Sequence, residues 1–116
     1  MLKRVPLSEK IETKLKKKVL AELKKLPNTY VVKIQQETIH GTLDIHICCR
    51  GFFIALELKS DPSLDLEPRQ KYEADLIDKA WGIWFKVDPT NWPIILIMLR
   101  AFSIGLMSHA KLAKKN

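Results

Sequence analysis

The sequence has few cysteines and shows no signal-peptide pattern. Its two cysteines, Cys48 and Cys49, are neighbours and are therefore poorly placed to bridge each other. This argues against a disulfide-built secreted scaffold and favours the reducing cytoplasm. The first apolar residues are interrupted by Lys3, Arg4 and a lysine-rich segment, so no secretory leader is expected.

Long hydrophobic runs are also scarce. The most apolar stretch, residues 94–107, is too short to cross a bilayer comfortably and holds Arg100 near its middle, so no membrane partner is expected. We interpret it as a C-terminal helix that is buried in the core or covered by a second copy of the chain. With 116 residues and no repeat or linker, a single domain is predicted, with a core at about residues 8–92 and a C-terminal helix and basic tail at about 93–116.

Positive charge is abundant and unevenly distributed. The first 26 residues carry nine lysines and arginines against three glutamates, residues 27–110 carry eight against ten acids, and the last six residues add three lysines. Basic ends around a slightly acidic middle suit contact with a polyanion such as DNA. Lysines that only keep a helix soluble explain the same charge equally well.

Residues 8–26 are predicted to form an amphipathic helix that Ser8 caps and Pro27 ends. Its apolar stripe, at three- and four-residue spacing, consists of Leu7, Ile11, Leu15, Val19, Leu23 and Leu26. Glu12 and Glu22 lie inside that stripe, where an unpaired buried carboxylate is expensive. Glu12 therefore either reaches a lysine at the stripe's edge or belongs to a site.

A β-hairpin is predicted within residues 43–59, after a strand at residues 30–36. If Arg50 and Gly51 form a two-residue turn, the register pairs Ile47 with Ile54 and Asp44 with Glu57. Alternation then makes one face wholly apolar, with Ile45, Ile47, Cys49, Phe52, Ile54, Leu56 and Leu58. The other face carries Asp44, His46, Cys48, Phe53, Ala55, Glu57 and Lys59.

The two facing acids indicate a site. Cross-strand Cβ atoms lie roughly 4.5–5.5 Å apart, and like charges at that distance destabilise a sheet unless a cation lies between them. Asp44 and Glu57, with the backbone carbonyl of Leu58, offer the hard oxygen ligands that Mg²⁺ or Mn²⁺ prefers. Lys59, on the same side as Glu57, is placed to bind an attacking water or a phosphate. Zinc held by His46 and Cys48 is disfavoured, because adjacent Cys49 points away.

A loop at residues 60–66, a helix at residues 68–80 capped by Gly82, and a strand at residues 83–87 are predicted next. The order β-β-β-α-β indicates an α/β (α+β) fold with a mixed sheet and helices packed on it.

At this point the sequence resembles a known family. Asp44 followed by Glu57-Leu58-Lys59 is similar to the motif of the PD-(D/E)XK nuclease superfamily. The wider pattern of Lys33, residues 41–45, residues 53–59 and Gln70 resembles its virus-type replication-repair branch (VRR-NUC), over roughly residues 9–88. The resemblance implies a restriction-endonuclease-like fold and a metal-dependent DNA endonuclease. It also implies homodimers that act on branched DNA, including four-way (Holliday) junctions, as small stand-alone members do.

The resemblance assigns roles residue by residue. Asp44 and Glu57 match the metal ligands, Lys59 the catalytic lysine, Gln70 a glutamine that leans over the site, and Glu12 the acid of the first helix. Glu9 is the second choice for that helix acid. The family usually has proline where this chain has Leu43, which changes chain geometry but removes no catalytic group.

The predicted function is thus a cytoplasmic Mg²⁺-dependent junction resolvase, which the resemblance alone links to a phage or mobile element. Expected phosphate contacts are Lys10, Lys14, Lys17, Lys18, Lys33, His40, Lys111, Lys114 and Lys115. A plain turn role for His40 stays open. The alternatives are a nuclease for flaps or linear DNA, and a non-catalytic basic module that binds nucleic acid or an anionic membrane surface.

Overall fold

The structure is a computed structural model that describes residues 6–34 and 41–107. His40, Lys111, Lys114 and Lys115 lie outside the described residues, as does the predicted end of the first strand at residues 35–36. The elements in chain order are α1 (Leu7–Leu23), β1 (Thr29–Lys33), β2 (Ile45–Cys49), β3 (Phe52–Leu58), α2 (Pro68–Lys79), β4 (Ile83–Val87) and α3 (Trp92–Ser103).

The four strands form one mixed sheet in the order β1-β2-β3-β4. The first three strands run antiparallel, and β4 runs parallel to β3. A parallel neighbour requires a crossover connection, which α2 supplies. The predicted class, a central mixed sheet flanked by helices, is confirmed.

The hairpin register agrees with the prediction. Ile47 pairs with Ile54, and Cys49 pairs with Phe52. The turn residues Arg50 and Gly51 both have positive φ angles, 48° and 86°, as a type I′ turn requires. This turn matches the twist of the flanking strands, so it fixes which side chains share a face.

The predicted apolar face of the hairpin is the core. It packs against α1 and α3 in one cluster of buried side chains that includes Leu15, Val19, Leu23, Ile45, Ile54, Leu56, Leu58, Trp92, Ile95 and Leu99. Glu22, which the sequence placed in the apolar stripe of α1, has a partner there. The indole Nε1 of Trp92 donates a hydrogen bond to its Oε2 over 3.2 Å. The two helices are therefore joined by a polar contact as well as by packing.

Several predicted helix ends are wrong by a few residues. Pro6, not Ser8, is the N-cap of α1, and the helix ends at Leu23 before Pro27 is reached. After α2 the left-handed backbone conformation falls on Trp81, with φ 66°, and not on Gly82. Gly82 still closes the helix end, because its N–H donates to the carbonyl of Ile77 over 2.8 Å.

The C-terminal apolar stretch forms α3, which is buried on one side only. Trp92, Ile95, Leu99 and Phe102 face the core. The opposite side exposes an apolar row made of Ile94, Ile97, Met98 and Ile104. Within the described part of the chain, no helix has both the length and the apolar character needed to cross a membrane.

Candidate active site

Asp44 and Glu57 lie opposite each other at one end of the hairpin. The register continues by one step from the pair of Ile45 and Leu56, and each acid is only 3% exposed. The backbone N–H of Leu58 donates to Asp44 Oδ2 over 2.8 Å. That bond, together with the strand pairing, holds the side chain of Asp44 beside the carboxyl group of Glu57.

The pairing with Asp44 disfavours the charged form of Glu57. Burial, and then the charge of Asp44, raises its pKa from 4.5 to about 8, although Lys59 acts in the opposite direction. Its Oε2 accepts a hydrogen bond from Gln70 Nε2 over 2.8 Å. Its Oε1 is buried and finds no hydrogen-bond partner among residues 6–34 and 41–107. An unsatisfied buried oxygen of this kind is where a proton or a cation belongs.

Gln70 and Lys59 contact Glu57 of the acid pair and also contact each other. Lys59 Nζ lies 3.6 Å from Glu57 Oε2 and donates to Gln70 Oε1 over 3.1 Å. The same Oε1 accepts the backbone N–H of Glu67 over 2.9 Å, which forms part of the capping box of α2. The start of α2 thus fixes the amide of Gln70, and Gln70 in turn fixes both Glu57 and Lys59.

Glu12 approaches from α1. It is half-buried, and its pKa is raised first by that burial and then by the charge of Asp44, while Lys59 and Lys16 lower it. The ionisation of Glu12 therefore depends on both Asp44 and Lys59 of the candidate site. The sequence-based interpretation of Glu12 as part of a site, and not only as a stripe-edge glutamate, has this coupling as its support. Glu9 acts on Glu12 more weakly than the other charges do.

Lys16 is a site-adjacent residue that the sequence reasoning missed. It lines a groove of about 340 Å³ on α1 together with Glu9, Glu12 and Thr13. Spacing is the signal that could have identified it, because Lys16 lies four residues after Glu12, and residues with that spacing lie on the same helix face. Within this helix, the predicted phosphate contacts include only lysines opposite the apolar stripe.

The lysines that were selected stay at the surface. Lys10, Lys14, Lys17, Lys18 and Lys33 are all exposed. Lys14 and Lys18 border a separate groove of about 240 Å³, whose other lining residues are Ile11, Leu15, Pro89 and Trp92. The structure therefore brings Glu12, Asp44, Glu57, Lys59 and Gln70 together and leaves these five lysines outside that cluster.

His46 and Cys48 lie on the same face as Asp44, but they do not form a metal cluster with it. His46 packs edge-on against Phe53, with ring centroids 5.2 Å apart and planes at 70°. Burial lowers the pKa of His46, while the charge of Glu73 raises it. Among the described residues, no group of three or more histidine, cysteine, aspartate or glutamate side chains is arranged to hold a metal ion.

No family model, curated protein or solved structure matches the chain. What the site can do chemically is therefore argued from its own groups. Two buried acids, one of them with a raised pKa, lie beside a lysine that is oriented by an amide, and this combination is suited to binding a cation and moving a proton.

Proposed function

We propose that this chain is a Mg²⁺-dependent endonuclease that hydrolyses phosphodiester bonds in branched DNA. The observation that carries the proposal is the buried pair of Asp44 and Glu57, with Lys59 and Gln70 bonded around it. The resemblance of the same residues to the PD-(D/E)XK motif supports it from the sequence. A cytoplasmic location, and a phage or mobile element as the source of the gene, belong to the same proposal.

The donor set fits Mg²⁺ even though it has only two strong ligands. Mg²⁺ in proteins is usually held by one or two carboxylates, with water and substrate phosphate in its other positions. Asp44 and Glu57 would hold it, with the carbonyl of Leu58 as a third ligand. Oε1 of Glu57, which has no hydrogen-bond partner in the part of the chain that the structure describes, is the oxygen available for it. When bound there, the ion supplies a Lewis acid for the scissile phosphate and makes a coordinated water more acidic.

The chain's own residues supply orientation and proton handling. Gln70 keeps the Nζ of Lys59 beside the acid pair, where its charge stabilises negative charge that develops on a phosphate oxygen. Glu12 has a pKa that burial and then the charge of Asp44 raise, so its carboxyl group is suited to accept or hold a proton from the attacking water. Burial of the pair keeps these interactions strong, since the local dielectric is low.

The exposed lysines give the proposal its DNA contacts. Lys10, Lys14, Lys17, Lys18 and Lys33 carry charge at the surface and would bind phosphates without reading sequence. Lys111, Lys114, Lys115 and His40 have the same proposed role, although they lie outside the described residues.

The proposed assembly is a homodimer through α3. Its exposed row has Ile94, Ile97 and Met98 at three- and four-residue spacing, with Ile104 just past the helix end, so a second copy of the helix can cover it. Cutting both strands of a four-way junction needs two active sites, and each chain carries one. Light scattering coupled to size exclusion is expected to show a dimer that Ile97→Glu converts to a monomer and that the control Leu76→Glu, on α2, leaves intact.

The deciding experiment is cleavage of four-way junction, flap, nicked and linear duplex DNA by purified protein with and without Mg²⁺. Asp44→Asn is the test variant, because an asparagine oxygen still accepts the N–H of Leu58. Asp78→Asn, at an exposed acid of α2, is the matched control. We expect Mg²⁺-dependent paired cuts in the junction that persist in the control and vanish in Asp44→Asn.

Other outcomes identify the alternatives. Cuts in flaps or linear DNA that also need Asp44 would keep the site and change the substrate. DNA binding without cleavage in every protein, and no rise in melting temperature on addition of Mg²⁺, would reject the metal site and leave a non-catalytic basic module.

A further inference from the structure

The loop between β3 and α2 has a residue of the candidate site at each end. Lys59 directly follows β3, and Gln70 lies in the first turn of α2. The two side chains meet across the loop, with 3.1 Å between Lys59 Nζ and Gln70 Oε1. This contact depends on the path of residues 60–67, because that segment sets how far apart its two ends lie.

Lys86 ties the middle of this loop to the sheet. It belongs to β4 and is the register partner of Glu57 on β3, so both side chains leave the same face of the sheet. Its Nζ donates to the carbonyl of Leu64 over 2.7 Å and to the carbonyl of Pro62 over 3.2 Å. Two loop carbonyls therefore share one ammonium group, and a charged donor makes such hydrogen bonds stronger than a neutral donor does.

The other attachments of the loop lie near its end. Leu66 is buried next to the start of α2. Asp65 pairs with Lys71 of α2 over 2.9 Å, but both side chains are more than half exposed, so water screens this ion pair. Of the hydrogen bonds in the described part of the chain, those of Lys86 are the ones that join residues 60–64 to the sheet.

We propose that Lys86 is a positioning residue of the candidate site. By holding the loop, its ammonium group keeps the amide of Gln70 in contact with Lys59 and with Glu57. The effect on the cleavage rate rests on the proposed nuclease function. The link from Lys86 to the Gln70 amide does not, since it is present in the protein without DNA.

Hydrogen exchange followed by NMR tests that link, with Lys86→Met as the variant. Methionine cannot donate a hydrogen bond, whereas Lys86→Arg keeps donors for the two carbonyls. The reporter is the backbone N–H of Glu67, which donates to Gln70 Oε1 over 2.9 Å. We expect its protection to fall about tenfold in Lys86→Met, the effect of one lost hydrogen bond from a charged donor, and to recover in Lys86→Arg. Lys79→Met, at an exposed lysine of α2, is the matched control.

Cleavage of four-way junction DNA with Mg²⁺ is the second measurement. Lys59 and Gln70 act where the phosphate reacts, while the exposed lysines supply the proposed DNA affinity. We therefore expect Lys86→Met to lower kcat by about tenfold with little change in KM, as for other residues that orient metal ligands. Lys86→Arg should restore kcat, and Lys79→Met should leave it unchanged.

Three results would overturn the inference. Unchanged exchange at Glu67 in Lys86→Met would remove the link to Gln70, whatever the rate. A higher KM with an unchanged kcat would make Lys86 a phosphate contact. Equal losses in Lys86→Met and Lys86→Arg would assign the effect to the packing of β4. Failure of the proposed function is distinguishable, since absence of cleavage by the wild type would reject the nuclease while exchange at Glu67 still decides the role of Lys86.

Discussion

The two faces of one hairpin differ in what they contribute to the molecule. On one face Ile54, Leu56 and Leu58 are buried in the apolar core beneath α1 and α3. The other face is made of the residues that alternate with these in sequence. There Glu57 is buried to nearly the same degree and has an oxygen that lacks a partner among the described residues. The first face stabilises the fold, whereas the second holds a buried carboxyl group whose charged form is disfavoured, next to Lys59. Burial alone therefore does not distinguish a core residue from a site residue. Whether its polar atoms have hydrogen-bond partners does.

The largest loss of stability is expected on the core face. Leu56 is fully buried, so Leu56→Ala should lower the free energy of unfolding by about 3–4 kcal/mol through lost transfer energy and a cavity. Urea denaturation measures this. Leu64→Ala, at an exposed leucine, should change stability by less than about 1 kcal/mol. Similar losses in both variants would contradict the assignment of this face to the core.

The opposite sign is expected on the site face. Because the folded state raises the pKa of Glu57 from 4.5 to about 8, the folded chain binds the proton more tightly than the unfolded chain does. Its contribution is therefore complete below pH 4.5 and is lost as the pH rises towards 8. Glu57→Gln keeps an acceptor for Gln70 and does not titrate, so it should raise the free energy of unfolding by about 4–5 kcal/mol near pH 9 and by about 1 kcal/mol near pH 5.

Urea denaturation at both pH values, without divalent metal, measures this difference, with Asp78→Asn as the control. A wild type whose stability is flat between these values would contradict the raised pKa.

An intermediate effect is expected where α2 meets the site. Gln70→Ala removes the amide that orients Glu57 and Lys59, and we expect cleavage to fall by about 10- to 100-fold, as for other residues that orient metal ligands. It also removes half of the capping box, at a cost of about 1 kcal/mol in stability. Steady-state kinetics and urea denaturation separate the two effects. Lys71→Ala, one residue along α2, should leave the rate unchanged, and an equal loss there would assign the effect to the helix as a whole.

The smallest effect is expected at Lys16. Its charge lowers the pKa of Glu12, so Lys16→Ala should raise that pKa. If the reaction requires ionised Glu12, the acid limb of the pH–rate profile should move up by a few tenths of a pH unit, with little change in the maximal rate. Lys17→Ala, at an exposed neighbour on α1, should leave the profile in place. Identical profiles for all three proteins would separate Lys16 from the site.

The sequence predicts the hairpin well because one local feature determines it. A two-residue turn at Arg50 and Gly51, together with strict alternation, is sufficient to place Asp44 opposite Glu57 and to assign every side chain of β2 and β3 to a face. β4 was predicted with the bounds it has, since a glycine and an apolar run mark it. The fold class follows from the order of these elements.

Other features depend on tertiary contacts that no local pattern contains. The orientation of the Asp44 carboxyl group depends on the Leu58 N–H that it accepts, and this bond exists only in the folded sheet. The division of α3 into a buried and an exposed side depends on where the sheet ends. The influence of Asp44 and Lys59 on the pKa of Glu12 depends on how α1 packs against the sheet.

Asp44 also joins three strands. Its carbonyl accepts the N–H of Ile34 over 2.9 Å, at the end of β1, while its carboxylate accepts the N–H of Leu58 on β3. Loss of this side chain thus weakens the sheet as well as the chemistry. Descendants of this chain that drift to inactivity should therefore keep aspartate or asparagine at position 44, while position 59, whose side chain contacts Glu57 and Gln70 of the site, is free to vary. Sequence drift at these two positions would then record whether a lineage still uses the site or only retains the fold.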